Sequence, residues 1–327
     1  MQGDSSESPF FIFAKKISMS LVAVGTIAFD ALETPFGKTD KILGGSATYS
    51  SLAASNYLNE VKVVSVVGDD FPEEYIRLIQ EHGIQTSALQ IKKGEKTFCW
   101  SGKYHHDMNT RETLETQLNV LENFDPIIPL DYQNCEYLML SCLPPAIQRK
   151  VIERLSHRPK LIVMDTFNLW IESMREEMDK TLKLVDVLSI NDEEARMLSG
   201  EYSLVKAAQK ILQMGPSYLI IKKGEHGALL FHENEVFFAP ALPLEEVFDP
   251  TGAGDTFAGG FIGYLAATDD ISFGNMKRAL IHGSTLASFC VEKFGTERLA
   301  NLTEGEIEAR LQQFIDLVQF DIVLEEA

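Results

Sequence analysis

The sequence is short of positive charge. Lys and Arg number 29 against 48 Asp and Glu, which gives a formal net charge of −19 at neutral pH and a pI near 4.8. A nucleic-acid binder needs a basic face to displace the counterions of the phosphate backbone, so that class is excluded, and an anionic membrane surface would repel the chain. Cysteine is scarce as well. Cys99, Cys135, Cys142 and Cys290 show no CxxC spacing, which argues against a zinc site or a disulfide framework and for a reducing, cytoplasmic setting. No apolar run reaches the ~18 residues of a membrane span. The apolar stretch Pro9-Phe10-Phe11-Ile12-Phe13-Ala14 is preceded by acidic residues and followed by Lys15-Lys16, the wrong order for a secretory signal. Met19 stands directly before the first strand-like run, so residues 1–18 read as a flexible extension or as a misassigned start. There is no GxGxxG after a strand, no HExxH and no GxSxG, and Gly37-Lys38-Thr39 lacks the earlier glycine of a phosphate loop because Leu32 stands there. Dinucleotide, zinc-protease, hydrolase and P-loop readings fall away.

What the chain does have is a rhythm. Short runs rich in Val, Ile and Leu recur at Leu21–Val24, Val61–Val67, Tyr137–Leu140, Leu161–Met164, Val185–Ile190 and Tyr218–Ile221. Such runs read as strands buried on both faces. Helical patterns lie between many of them, at Ala47–Leu58, Glu73–His82, Pro145–Ser156, Glu193–Ser199 and Ser203–Met214. Alternation of this kind predicts an α/β domain over 19–327, with a mostly parallel central sheet flanked by helices. Two segments break the rhythm, 31–43 and 97–110. The second mixes Phe98, Trp100, Tyr104, His105, His106 and Asp107. Both read as strands of a small flap over the sheet's edge, or as ordinary surface hairpins. His105 and His106 are adjacent, so in a strand they point to opposite faces and do not share a metal.

The stretch that carries chemistry is Asp249-Pro250-Thr251-Gly252-Ala253-Gly254-Asp255-Thr256-Phe257-Ala258-Gly259-Gly260. Gly252, Ala253 and Gly254 fall in the first turn of a helix that runs to Ala267. Their amides have no intrahelical partner, and the lack of side chains lets a ligand approach the backbone. Free donors and the positive end of the helix dipole together suit a transferring phosphoryl group. Asp255 sits beside that site, where a carboxylate can take a proton from a hydroxyl.

The whole motif resembles the second signature of the PfkB, or ribokinase-like, carbohydrate kinases. Other segments resemble the family in register. Gly25 to Asp30 is similar to its first strand and substrate aspartate, Gly44-Gly45 to its di-glycine signature, and Asn191 with Glu194 to its NxxE motif. Lys222 to Gly227 is similar to its nucleotide turn, and Ala287 to Gly295 to the loop by adenine and a monovalent cation. The resemblance covers Leu21 to Arg298. It implies a ribokinase-like α/β fold with a small β lid and an ATP-dependent kinase acting on a sugar hydroxyl. In that reading Asp255 is the general base, while Asp30, Gly44, Gly45 and Tyr49 orient the substrate. Asn191, Lys222, Gly224, Gly227, Gly252 and Gly254 line the nucleotide. Mg²⁺ is placed through Asn191 and Glu194 by way of water, and K⁺ is a candidate at Asp249 and Thr251. A homodimer through the lid also follows from the resemblance.

The chain departs from ribokinases themselves, which carry an asparagine where Ala28 stands and another where Tyr49 stands. Ribose is therefore not the first expectation. Tyr49, Phe98 and Trp100 could form an aromatic wall for a sugar face or a nucleobase, or could simply pack in the lid or core. Asp165-Thr166-Phe167-Asn168 could add polar contacts. A sugar kinase, a nucleoside kinase and a non-catalytic binding protein of the same fold all stay open at this point.

Overall fold

The computed structural model describes residues 19–319, so the 1–18 extension lies outside the described residues. In chain order the elements are β1 (Leu21–Val24), β2 (Ala28–Thr34), β3 (Gly37–Lys38), β4 (Ile42–Gly44), α1 (Ser46–Ser55), β5 (Val61–Gly68), α2 (Glu73–Glu81) and β6 (Ile84–Lys92). Next come β7 (Cys99–Tyr104), β8 (Arg111–Gln117), β9 (Tyr137–Leu140), α3 (Pro145–Glu153), β10 (Leu161–Asp165), α4 (Asn168–Ser173), α5 (Arg175–Leu182), β11 (Val187–Asn191), α6 (Asp192–Ser199) and α7 (Leu204–Leu212). The chain closes with β12 (Tyr218–Lys222), β13 (Ala228–His232), β14 (Glu235–Ala239), α8 (Ala253–Thr268), α9 (Phe273–Cys290) and α10 (Glu304–Val318).

Nine strands form the main sheet in the order β14-β13-β12-β11-β10-β9-β1-β5-β6. From β6 to β12 every neighbouring pair is parallel, and the β13–β14 hairpin closes that edge antiparallel. Alternate residues of each strand feed different cores. Leu21, Ala23, Tyr137, Met139, Leu161 and Val163 face α1, α8 and α9. Val22, Val24, Leu138, Leu140, Ile162 and Met164 face the other layer of helices. Both faces are dry, which is why these strands read as unbroken apolar runs. The strand order reverses beside β1, and in such sheets the ligand crevice opens beyond the carboxyl ends of the strands at that point.

A second sheet of five strands runs β3-β2-β7-β8, with β4 also pairing β2. The two segments that break the sequence rhythm fall here. One detail differs from the sequence expectation. Asp30 does not end the first core strand: β1 stops at Val24, and Asp30 lies inside β2, opposite Ile42 and Trp100. The crossing is tied to α1 by a reciprocal pair of bonds. The Ser46 amide donates to Thr26 Oγ1 at 2.9 Å, and the Thr26 amide donates to Ser46 Oγ at 3.2 Å.

Helix α8 lies directly on α1, and small residues set the approach. A methyl on Gly259 would run into the Ser50 carbonyl, and one on Gly263 would come within 2.7 Å of Ala54 Cα. Among the described residues no helix is long and apolar enough to cross a membrane. Because neither backbone has room to retreat, Gly259→Ala is expected to destabilise the fold by about 1–3 kcal/mol, the usual cost of overpacking. Urea unfolding measures it, and an unchanged midpoint would mean that the two helices tolerate a wider separation.

Candidate active site

The carboxyl ends of β10, β11 and β12 deliver Asp165, Asn191 and Lys222 to one end of the sheet. Lys222 Nζ reaches Asp165 Oδ2 at 2.6 Å, and both side chains are largely buried. Burial works against the Lys222 ammonium, but Asp165, Glu194 and Asp255 together outweigh it and hold the lysine charged. Burial also drives Asp165 towards its neutral form, and the ammonium opposes that. The close geometry supports an ionised pair.

Asn191 and Glu194 form a capping box at the start of α6. The Glu194 amide donates to Asn191 Oδ1 and the Asn191 amide donates to Glu194 Oε2, each at 2.8 Å. The reciprocal bonds satisfy two orphan donors. Glu194 is nevertheless buried rather than on a solvent face. Desolvation and the Asp165 charge push its carboxyl up to about 7, with Lys222, the Asn191 amide and Arg111 pulling the other way.

Helix α8 begins over these groups. Gly252 is its N-cap, at φ 74° in the left-handed region, which glycine adopts without strain. The Tyr49 ring lies under it, so a Cβ at Gly252 would sit 2.5 Å from the ring. Among the described residues the Gly252 and Gly254 amides make no hydrogen bond, whereas the Ala253 amide donates to the Pro250 carbonyl at 3.2 Å. A phosphoryl oxygen would meet the two glycine amides unopposed and would compete for the third. Asp255 follows in the first turn. Burial raises its pKa to about 7, the Asp165 charge adds to the rise, and Lys222 and Arg111 resist it. A Cβ on Gly254 would lie 3.1 Å from Lys222 Nζ, so the ammonium borders the same turn.

On the other bank Asp30 is buried with its carboxylate packed against Gly44, where even a methyl would collide. Desolvation, then the charges of Asp249 and Asp255, push it up to about 8. The Gly45 amide and Tyr49 favour the ionised form, but Tyr49 Oη is itself buried without a completed hydrogen bond. Tyr49 is thus packed below the turn. Phe98 is partly buried against the core, and Trp100 lies flat on Gly102. Asp249 Oδ1 and Oδ2 accept from the Thr251 and Gly295 amides at 2.9 Å each. Gly224 and Gly227 flank the turn after β12, both at positive φ. The sequence-predicted residues therefore gather in one crevice, with Asp30, Gly44, Gly45 and Tyr49 on one side and Asn191, Lys222, Gly224 and Gly227 on the other.

Two contributors were not singled out from the sequence. Asp165 appears there only as a polar contact, not as the partner of Lys222. Arg111 lies one residue past the segment taken as flap, and its charge reaches both Asp255 and Glu194. The polar turn between Tyr104 and Arg111, which sets the two opposite each other across a hairpin, was the available signal.

Among the described residues no group of three or more His, Cys, Asp and Glu is placed to hold a bare ion. Asp165, Glu194 and Asp255 are gathered closely, and Thr166 Oγ1 and Asn168 Oδ1 are buried nearby without partners. That donor set suits a hydrated Mg²⁺ arriving on a nucleotide. Asp249 is buried, and among the described residues no Lys or Arg forms an ion pair with it, which suits a monovalent ion held by neighbouring carbonyls.

A model of the pfkB family of carbohydrate kinases matches residues 18–302. The cytidine kinase of Thermococcus kodakarensis is 31% identical over 250 residues, covering 75% of this chain and 87% of that protein. The nucleoside kinase of Methanothermobacter thermautotrophicus is 25% identical over 295 residues, covering 85% and 91%. Among solved structures, the nucleoside kinase of Methanocaldococcus jannaschii superposes with a TM-score of 0.73 at 20% identity, covering 91% of this chain and 99% of that one. The ribokinase of Thermotoga maritima superposes with a TM-score of 0.72 at 20% identity, covering 90% and 99%.

The buried pair gives a stability test. Lys222→Met strands Asp165 without its counter-charge and is expected to cost about 3–5 kcal/mol, whereas Lys222→Met with Asp165→Leu should recover most of that loss. Denaturant unfolding of the parent, the single variant and the double variant closes the comparison. Equal losses in the single and double variants would show that the pair is not its source.

Proposed function

Because the chain belongs to the pfkB family of carbohydrate kinases and is an ATP-dependent phosphotransferase with an alcohol group as acceptor, we propose that it phosphorylates a primary hydroxyl of a small sugar or sugar-bearing molecule, nucleosides being the first class to test. The observation that carries this reading is the buried Asp255 beside the open Gly252 and Gly254 amides. A base poised near neutral pH stands next to an anion-binding turn, which is what transfer to an alcohol requires. Nucleosides come first because the two relatives described above, a cytidine kinase and a nucleoside kinase, are named for nucleosides, although a Salmonella deoxyribokinase also aligns over 87% of its length.

In this mechanism the acceptor is held by Asp30, which as a carboxylate accepts bonds from its hydroxyls in the cradle of Gly44 and Gly45. Asp255 removes the proton from the attacking hydroxyl. The Gly252 and Gly254 amides take the oxygens of the transferring group, and the Ala253 amide joins them by exchanging its bond to Pro250. Lys222, held by Asp165, presents its ammonium to the phosphates. Asn191 and Glu194 would hold the waters of a Mg²⁺ ion, which when bound neutralises phosphate charge. Gly224 and Gly227 leave the nucleotide side open. Little covalent work falls to the protein, so catalysis is positioning and electrostatics. The second sheet would cover the acceptor and exclude water. A homodimer paired through that sheet is part of the same reading, and sedimentation tests it.

Asp255→Asn is expected to keep the fold and ATP binding while kcat falls on the order of 10²–10⁴-fold. Coupled ADP release with a panel of nucleosides and sugars measures this. Near-parental turnover would remove Asp255 from the base role, and no turnover of any acceptor by the parent would sink the kinase reading. The pH dependence has a definite sign. Asp255 must be ionised to act and Asp30 to bind, so kcat/KM should rise through about 7 to 8. The same shift bears on stability. The folded Asp255 holds its proton to about 7 against an ordinary carboxyl value of 3.8, so the unfolded chain releases it first and stability is lost as pH rises between those values. Asp255→Asn should therefore resist unfolding better than the parent at pH 8. Exchanging Na⁺ for K⁺ at fixed Mg²⁺ is expected to raise kcat if carbonyls of Asp249 and Thr251 bind the ion, and an unchanged rate would dismiss that site.

A further inference from the structure

Arg111 opens β8 and lies opposite Tyr104 across the β7–β8 hairpin. It is exposed, and among the described residues it has no ion-pair partner. Its guanidinium carbon stands 5.1 Å from the centroid of Phe167 and 5.8 Å from that of Trp100. Phe167 follows Asp165 by two positions, so the guanidinium hangs over the carboxyl end of β10, above the acidic floor. In a chain of net charge −19, this cation has no carboxylate of its own although it hangs over the crevice. Arg154, Arg158 and Arg175 on the surface each pair with an acid, and Arg77 and Arg278, exposed and without an ion pair among the described residues, stand on α2 and α9 rather than on the second sheet.

The hairpin that carries Arg111 is fastened at two places. At one end the Thr251 hydroxyl donates to Tyr104 Oη at 3.2 Å, immediately before the Gly252 turn. At its tip Asn109 Nδ2 donates to Glu225 Oε1 at 3.1 Å, and a Cβ on Gly224 would lie 2.8 Å from Asn109 Oδ1. The tip is itself braced, because Asp107 Oδ1 accepts from the amides of Asn109 and Thr110 at 3.2 and 2.9 Å. One hairpin thus spans the crevice from the anion-binding turn to the turn after β12, and Arg111 hangs between its two fastenings.

We propose that Arg111 is a further catalytic residue, carried by the second sheet, whose guanidinium binds the oxygens of the phosphoryl group in transit, and that the Asn109 contact makes its placement depend on the turn at Gly224. This rests on the kinase reading above. In the step concerned, the acceptor oxygen bonds to the γ-phosphorus as the bond to the β–γ bridging oxygen breaks. ADP leaves with that electron pair, and the acceptor proton passes to Asp255. A planar guanidinium offers paired donors to two equatorial oxygens at once, which an ammonium cannot. Its charge also favours ionised Asp255, so one side chain would serve both the proton acceptor and the transferring group. The competing role is structural: stacking on Trp100 and Phe167 merely to order the hairpin.

The test pairs kinetics with binding. Arg111→Met should lower kcat by ~10²-fold or more, by analogy with arginines that stabilise phosphoryl transfer, with KM for both substrates changed little. Arg111→Lys should recover only part. The rise of kcat with pH should move to higher pH in Arg111→Met, because a charge opposing protonation of Asp255 is gone. A structural role predicts instead a raised KM for the acceptor, an unmoved pH profile and near-full rescue by an equally long side chain, and that pattern would overturn the proposal. Binding decides the matter even if no acceptor is turned over. Beryllium fluoride, a mimic of the transferring group, should tighten binding of MgADP to the parent. Arg111→Met should lose at least about tenfold of that gain while binding MgADP alone normally, and Asn109→Ala should lose part of it. The same gain in parent and Arg111→Met, or no gain in the parent, would also overturn the proposal. Failure of the kinase reading shows separately, as absence of turnover in the parent.

Discussion

One ammonium holds the site together. Lys222 is surrounded by Asp165, Glu194 and Asp255, all buried at one end of the sheet. Without it their mutual repulsion and desolvation would push all of them neutral, and a neutral site has no base. With it the balance is incomplete by design of the geometry: Asp165 takes the close contact, while Asp255 and Glu194 are left near 7. The strain that makes Asp255 a useful proton acceptor is thus the residue of a charge count that Lys222 only partly cancels. Adding a metal-bound nucleotide would change that count again, so the protonation of these carboxyls and the binding of nucleotide are linked.

The topology explains why these groups meet at all. Parallel strands all end on one side, so residues far apart in sequence are delivered to a common edge simply by being last in their strands. The helix dipole of α8 then adds a positive end where the carboxylates are densest. The second sheet approaches from above with the opposite chemistry, donating Arg111 and Tyr104 where the floor offers acids. An acidic exterior keeps the molecule soluble without touching this local arrangement.

The core of the fold was legible in the sequence because its strands are buried on both faces and advertise themselves as apolar runs. The Gly252 to Asp255 turn was legible because glycine and small residues there have a backbone reason. The pairing of Lys222 with Asp165 was not. It depends on a lysine reaching past β11 to the end of β10, and nothing in a local pattern encodes which strand lies two places away. The capping role of Asn191 and Glu194 was visible in their spacing, yet the burial of Glu194 was not, since a capping box is as common on an open surface. Arg111 escaped for a related reason. The β8 segment Arg111–Gln117 is almost wholly exposed and polar, so it carries no hydrophobic alternation to announce a strand. Asp30 was identified while its strand was not, because the crossing at Gly25 to Ile27 is as buried as the strands on either side and only Gly25 marks the break.

The close seat of α8 on α1 also constrains how the chain can be made. Residues 46–55 and 253–268 are neighbours in space and about two hundred positions apart in sequence. Helix α1 is built of small residues, nearly all of them buried, and shows little amphipathic bias of its own, so it has few means of sheltering itself early. On a ribosome the N-terminal half emerges long before its cover is synthesised, and loop closure over that distance comes late. A truncated or stalled chain would present an uncovered helix and open parallel strands, the surfaces that draw chaperones and aggregation. Acquisition of the anion-binding turn and completion of the core are therefore one event, so synthesis yields either a whole active centre or none.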